Sequence, residues 1–249
     1  MHKFFVNKKN INDTNIIIDG DDVKHISKVL RLRVGDEILV SDGLCSEYTA
    51  SIEAIDKKEV ICSIINSFKN QTECDVKITV FQGLPKSTKM ELIIQKGVEI
   101  GIDSIVPVIT DRVVVKTEAR DLTNKIDRWN KIAKEAAKQS GRGCVMEIET
   151  PISFSDAVDM VSEFDLAVMP YENADDEGLK KVLSDHKDAK NIAVFIGPEG
   201  GFEGEEVEEA LSKGVFPVTL GPRILRTETA GLVASTIILY EIGDMGGKI

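Results

Sequence analysis

The chain has 249 residues, 42% hydrophobic and 29% charged, which suits one large or two modest domains and excludes global disorder. Its formal charge is −11, and no spacing among its 3 histidines and 4 cysteines suits a metal. No apolar run reaches the ~18–20 residues that span a bilayer, and Met1–Val6 lacks a signal peptide's apolar stretch, so a cytoplasmic protein is expected, with Cys45, Cys62, Cys74 and Cys144 reduced.

Residues 1–70 are strand-rich. Lys3–Val6, Asn15–Ile18, Asp36–Ser41, Glu47–Ile55 and Glu59–Ser67 are β-branched runs broken by Asn, Asp and Gly. One helix interrupts them, Asp21 to about Leu32, with Val23, Ile26 and Leu30 on one face and Lys24, Lys28 and Arg31 on another. That basic stripe is either a phosphate contact or a solvated face. The pattern predicts a small β-barrel, a format used both for RNA binding and as a plain scaffold. Residues 71–75 read as a linker.

From Val76 strands and helices alternate. Strands are expected at Val76–Leu84, Ser104–Thr110, Met146–Ile152, Asp165–Tyr171, Ile192–Gly197 and Val215–Leu220. Helices are expected at Lys89–Gly101, Leu122–Ser140, Ser155–Phe164, Glu177–His186, Glu203–Lys213 and through Leu232–Tyr240. Nearly continuous apolar strands in such an order predict an α/β domain over residues 76–249, with a parallel sheet covered on both faces. Ligands of such sheets sit at the carboxyl ends of strands, which points to the loops after Tyr171, Gly197 and Leu220.

Charge is uneven along this order. Residues 1–70 are nearly balanced, 71–143 carry a small basic surplus, and 144–249 hold almost all the acidity. A basic face on the first two thirds can still hold a polyanion, because local field outweighs net charge.

Two loops stand out. Gly197-Pro198-Glu199-Gly200-Gly201-Phe202 precedes an acidic helix start, Glu203 to Glu209. Its glycines let a ligand approach the backbone, but the glutamates disfavour phosphate, and neither GxxxxGK[ST] nor GxGxxG occurs. A neutral or cationic ligand fits better. The second loop is Leu220-Gly221-Pro222-Arg223-Ile224-Leu225-Arg226-Thr227-Glu228-Thr229-Ala230. Here Gly221 permits a left-handed turn, Pro222 stiffens it, and Thr227 is the expected N-cap of the last helix.

Together these loops closely resemble the signature of the RsmE family, bacterial 16S ribosomal RNA uracil-N3 methyltransferases of the SPOUT class. Weaker matches run through the chain: His25 to Gly35, Lys96-x-x-Glu99-x-Gly101, Pro107-x-x-Thr110-x-Arg112, Arg128-Trp129 and Glu135-Ala136-x-x-Gln139-Ser140-x-Arg142. The resemblance implies a PUA-like, RNA-binding barrel followed by an α/β domain with a trefoil knot that binds S-adenosylmethionine, in a homodimer. Gly231 within the apolar Leu232–Tyr240 helix is consistent with close approach of a second copy or with packing inside one chain. Two departures are visible. Lys3 stands before Phe4-Phe5 where the family usually has arginine, and Val98 precedes Glu99 where threonine is usual. Lysine keeps the charge but not the bidentate fork.

Residue roles follow from the same resemblance. The adenosyl group is expected against the backbone of Gly197, Gly201, Leu220, Gly221 and Leu225 with Thr229 beside them, and between Met169, Pro170, Ile196 and Ile224. Ribosomal RNA is expected to meet Lys3, His25, Arg31, Arg33, Lys86, Arg112 and Arg142. Arg226 is expected as the cation that stabilises the uracil anion, or more plainly as a structural partner of Glu228. Glu228 is a candidate proton acceptor, with Glu199 as the alternative. The competing reading is a non-catalytic RNA-binding ribosome assembly factor that keeps the knotted fold. A nucleotide-dependent oxidoreductase is disfavoured by the missing phosphate motifs.

Overall fold

The computed structural model describes residues 1–86, 88–112, 119–172, 174 and 178–247, with residues 119–121 described by backbone alone. By contacts the chain forms two compact units, Met1–Glu73 with Ala137–Val145, and Cys74–Ala136 with Met146–Ile249. The first unit therefore takes in a nine-residue return of the chain that sequence order places in the second.

The first unit is a curled five-stranded sheet made of β1 (Lys3–Phe5), β2 (Asn15–Asp19), β3 (Glu37–Ser41), β4 (Ser46–Ile55) and β5 (Glu59–Lys69). The spatial order is β1-β3-β4-β5-β2, with β1 parallel to β3 and the other pairs antiparallel. Register shifts at Thr49/Ala50 and Ile52/Ala54 help to bend the long β4–β5 ribbon. Its inner face buries Phe4, Ile16, Ile18, Ile38, Val40, Ile52 and Val60.

The expected helix from Asp21 is shorter and wider than its 3.6-residue period implies. Helix α1 (Asp21–Lys24) passes into a π-helical segment, His25–Leu30, which Arg31 ends in the left-handed region at φ 54°. This change of period takes Arg31 off the stripe of Lys24 and Lys28.

The return segment Ala137–Val145 is tightly held within the first unit. Lys3 ion-pairs with Glu47 and donates to the carbonyls of Gly141 and Arg142. Arg142 bonds Glu73 at 2.6 Å, and Glu73 also accepts the N–H groups of Gly143 and Cys144. Ser41 donates its hydroxyl to the Gly143 carbonyl at 2.7 Å. Cys45 and Cys144 are joined in a disulfide, which corrects the expectation that all four cysteines are reduced; Cys62 and Cys74 are free. The pairing spans 99 positions of sequence, so no local spacing announces it.

The second unit contains β6 (Lys77–Gly83), α2 (Lys89–Ile100), β7 (Ser104–Ile109), the greater part of α3 (Ala119–Ser140), β8 (Glu147–Ile148), β9 (Ile152–Ser153), α4 (Phe154–Asp159), β10 (Leu166–Pro170), α5 (Leu179–Asp185), β11 (Asn191–Ile196), α6 (Gly204–Ser212), β12 (Phe216–Val218) and α7 (Thr227–Ile242). Its sheet runs β12-β10-β11-β6-β7-β8 with every pair parallel. The expected strand Met146–Ile152 is two short strands, β8 and β9, both paired with β7. The expected start of α5 at Glu177 lies outside the described residues.

One face of this sheet buries Phe81 stacked on Phe195 at 4.6 Å, with Phe154, Phe202, Val207 and Ala210. On β6 and β11 rests α7, which also packs on α2 and α5. At Gly231 α7 lies close against the sheet: a Cβ there would lie 3.3 Å from the Ile196 side chain. Packing inside one chain thus accounts for this glycine. Among the described residues no helix is long and apolar enough to cross a membrane, and no cluster of metal-binding side chains occurs.

Candidate active site

The carboxyl ends of β10, β11 and β12, adjacent in the sheet, release the three loops singled out by sequence. They meet around a cavity of about 940 Å³. Pro170, Tyr171 and Glu172 come from the first loop, Gly197 to Phe202 from the second, and Thr219 to Thr227 from the third, with Ile196 behind and Lys89 and Arg112 at the sides.

Thr227 ties these parts together. It is the first residue of α7 and not its N-cap, which is Arg226 without a side-chain cap bond. Its buried hydroxyl donates to the Gly197 carbonyl at 2.6 Å and accepts from Gln82 Nε2 at 2.9 Å. Gly221 adopts φ 114°, the left-handed turn expected of it.

The acidic start of α6 also has structural uses. Glu203 and Glu206 form a capping box, and Glu206 accepts the Asp111 N–H at 3.0 Å. Arg112 bonds Glu203 through two nitrogens, at 2.6 and 2.8 Å, and donates to the Gly200 carbonyl. Arg112, expected at RNA, is thus a strut of the glycine loop. The guanidinium holds the Glu203 carboxyl below the usual carboxylate range.

Lys89, at the first turn of α2, lies between two carboxylates, 3.0 Å from Glu199 and 3.1 Å from Glu228. For Glu199, burial raises the pKa, but hydrogen bonds from Lys89, its own N–H and the Lys86 N–H outweigh that and lower it. Glu228 is lowered first by its own backbone N–H, against burial, and further by Lys89 and Arg226. Both are ionised at neutral pH and are weaker bases than free carboxylates. Glu228 is not among the residues that line the cavity, although its ion-pair partner Lys89 is.

Of the expected cofactor residues, Pro170, Ile196, Gly197, Gly201, Leu220, Gly221, Ile224 and Leu225 line the cavity. Met169 does not, because it alternates into the core at 1% exposure, and Thr229 is exposed in the first turn of α7. Arg226 is on the rim with its side chain 82% exposed, 3.9 Å from Glu228, so it is not a rigidly held cation. Arg223 is exposed beside it.

Of the expected RNA residues, His25, Arg31, Arg33 and Lys86 are exposed. Lys3 and Arg142 are not: both side chains are 6% exposed and committed to the ion pairs that hold the return segment. Their nomination as RNA contacts is corrected on that ground. Lys89, which the sequence reading passed over, carries no local signal. Its partners are distant in sequence, Glu199 in the glycine loop and Glu228 in the first turn of α7.

The donor set suits a ligand that combines a flat, largely apolar group with positive charge. It offers backbone peptides and the side chains of Pro170, Ile196, Leu220 and Leu225, with Glu172 and Glu199 at the rim. The class follows from the family models that match: an RNA methyltransferase domain over residues 72–239 and an RNA methyltransferase PUA domain over residues 18–65. Curated relatives include ribosomal RNA small subunit methyltransferase E of Bacillus subtilis, 34% identical over 97% of each chain, and that of Aquifex aeolicus, 31% identical over 96% of this chain and 99% of the other. A crystal structure of the corresponding Neisseria gonorrhoeae protein bound to S-adenosyl methionine is 31% identical and superposes with a TM-score of 0.87 over 98% of this chain and 99% of that one. The chain belongs to the ribosomal RNA small subunit methyltransferase E family.

Proposed function

We propose that the protein transfers a methyl group from S-adenosylmethionine to N3 of a uracil in 16S ribosomal RNA of the small ribosomal subunit. The observation that carries this reading is the cavity itself. Three loops at neighbouring strand ends converge on one site whose carboxylates suit a cationic cofactor and whose rim carries exposed arginines. Peptide groups of Gly197, Gly201, Leu220, Gly221 and Leu225 hold the adenosyl group against Pro170 and Ile196. When bound, the cofactor supplies an electrophilic methyl carbon.

Three demands remain for the chain. It must place N3 in line with that carbon, let the N3 proton leave, and meet the charge then spread over the uracil carbonyls. Arg223 and Arg226, exposed on the rim, are suited to guide the incoming RNA. His25, Arg31 and Arg33 on the PUA-like unit contact the backbone of the same RNA. An unpaired or opened base is required, because pairing hides N3.

The third loop is read as part of a trefoil knot, and the molecule as a homodimer. Support for the dimer comes from α7, where Leu232, Val233 and Ile237 are half-buried and Tyr240 is 66% exposed beyond the chain's own packing. Ribosomal RNA as substrate supports a cytoplasmic location.

Calorimetric titration with S-adenosylmethionine, and mass-spectrometric mapping of 16S RNA from cells with and without the protein, test the proposal. Saturable binding and a methyl mark at one uracil N3 that depends on the protein are expected. Folded protein that neither binds the cofactor nor transfers methyl overturns it.

A further inference from the structure

We infer that Lys89 is the catalytic cation that faces the target base, donating a hydrogen bond to a uracil carbonyl flanking N3. This rests on the methyltransferase reading above and assigns a role within the same site. An ammonium has three N–H donors. Among the described residues Glu199 and Glu228 are its ion-pair partners, at 3.0 and 3.1 Å, and the Glu228 Oε2 facing it accepts no hydrogen bond, so Lys89 keeps N–H capacity for the cavity that it lines. The charges of the two carboxylates hold the nitrogen, and its side chain is only 29% exposed.

Electrostatic catalysis needs charge that is already in place when the transition state forms. Of the two cations beside Glu228, Lys89 meets that demand, whereas Arg226 at 82% exposure has to be ordered first. Glu228 acts as a positioning residue, anchoring Lys89, while Glu199 reaches the cavity beside it. A donor suits either uracil carbonyl flanking N3, whereas cytosine keeps a carbonyl on one side of N3 and carries an amino group on the other.

The exchange balances without a further reagent. The N3–H bond breaks and its proton passes to water. The N3 electron pair bonds the methyl carbon, and the sulfur–carbon pair stays with sulfur. Charge displaced onto the carbonyl oxygen during that exchange is what a Lys89 N–H meets. Loss of the ammonium therefore slows the step without loosening the adenosyl site.

The test starts with the wild-type protein, for which cofactor binding and methyl transfer to unmodified small subunits are measured first. Failure there overturns the methyltransferase reading and not this one alone. Given active wild type, Lys89→Met is expected to lower kcat by about 10²–10³-fold, with cofactor Kd within about threefold. Lys89→Arg recovers part of the loss. Affinity of the cofactor-free protein for unmodified subunits falls about tenfold in Lys89→Met, the scale of one charged hydrogen bond. On subunits containing 5-fluorouracil, whose N3 proton is more acidic, the kcat deficit shrinks.

A purely structural lysine predicts otherwise. If Lys89 serves only to neutralise Glu228, the double variant Lys89→Met with Glu228→Gln regains the turnover of Glu228→Gln alone, and the proposal is overturned. Unchanged kcat and subunit affinity in folded Lys89→Met overturn it as well.

Discussion

Replacing Arg142 by alanine is expected to lower the free energy of unfolding by about 3–5 kcal/mol, the cost of stranding one member of a buried ion pair. Arg142 and Glu73 have side chains 6% and 8% exposed and meet at 2.6 Å. Without the guanidinium, the Glu73 carboxylate stays buried with the N–H groups of Gly143 and Cys144 as its remaining support. The double variant Arg142→Ala, Glu73→Ala removes both charges of this pair and is expected to be more stable than Arg142→Ala alone. Denaturant titrations of the three proteins decide this. A contact made only with RNA predicts instead unchanged stability and weaker RNA binding in Arg142→Ala.

The same pair has an acid signature. Burial raises the Glu73 pKa, but the Arg142 hydrogen bonds and charge, with the two backbone N–H groups, bring it below its ordinary value of 4.5. A carboxylate depressed on folding stabilises the native state above its unfolded pKa, and that stability is lost as pH falls through the lower, folded value. Stability measured from pH 7 downward should hold to about 4.5 and then decline. The decline should be shallower in Arg142→Ala, which has already lost this stabilisation.

Parts of this molecule were legible in sequence because their causes are local. Apolar runs such as Ile192–Ile196 and Leu166–Met169 announce buried parallel strands, and the glycine and proline positions after them announce loops at the strand ends. The cavity follows from those two facts, since β10, β11 and β12 are neighbours in the sheet.

What was not legible depends on tertiary partners. Lys3 looks like an exposed cation next to an aromatic pair until Glu47 and the carbonyls of Gly141 and Arg142 close around it. Thr227 looks like an N-cap, whereas its hydroxyl is taken by Gln82 and Gly197. Val98 occupies a fully buried position, where an apolar side chain fits. Lys89 gains its meaning only when the loop after β11 and the first turn of α7 deliver Glu199 and Glu228 to it. Helical period misled at His25–Leu30, because a π turn shifts every later side chain round the axis.

Gly197→Val is expected to reduce methyl transfer about a hundredfold, the scale of an ångström-sized misplacement of a binding element. A Cβ at Gly197 would lie 3.1 Å from the carbonyl carbon and Cα of Gly201 and 3.3 Å from the Phe202 nitrogen. These are backbone atoms, so no side-chain rotation relieves the contact. Alanine forces the loop open by a few tenths of an ångström; the two γ-methyls of valine force it further. The Gly197 carbonyl also accepts the Thr227 hydroxyl, so the shift is passed to the start of α7 and the third loop. Cofactor affinity should therefore fall in the order wild type, Gly197→Ala, Gly197→Val, with turnover following. Gly178→Ala is the control: its Cβ meets nothing within 4 Å and the residue is outside the cavity lining. Calorimetry with S-adenosylmethionine on the folded variants reads the series. Wild-type affinity in Gly197→Val would show that the glycine loop does not hold the adenosyl group.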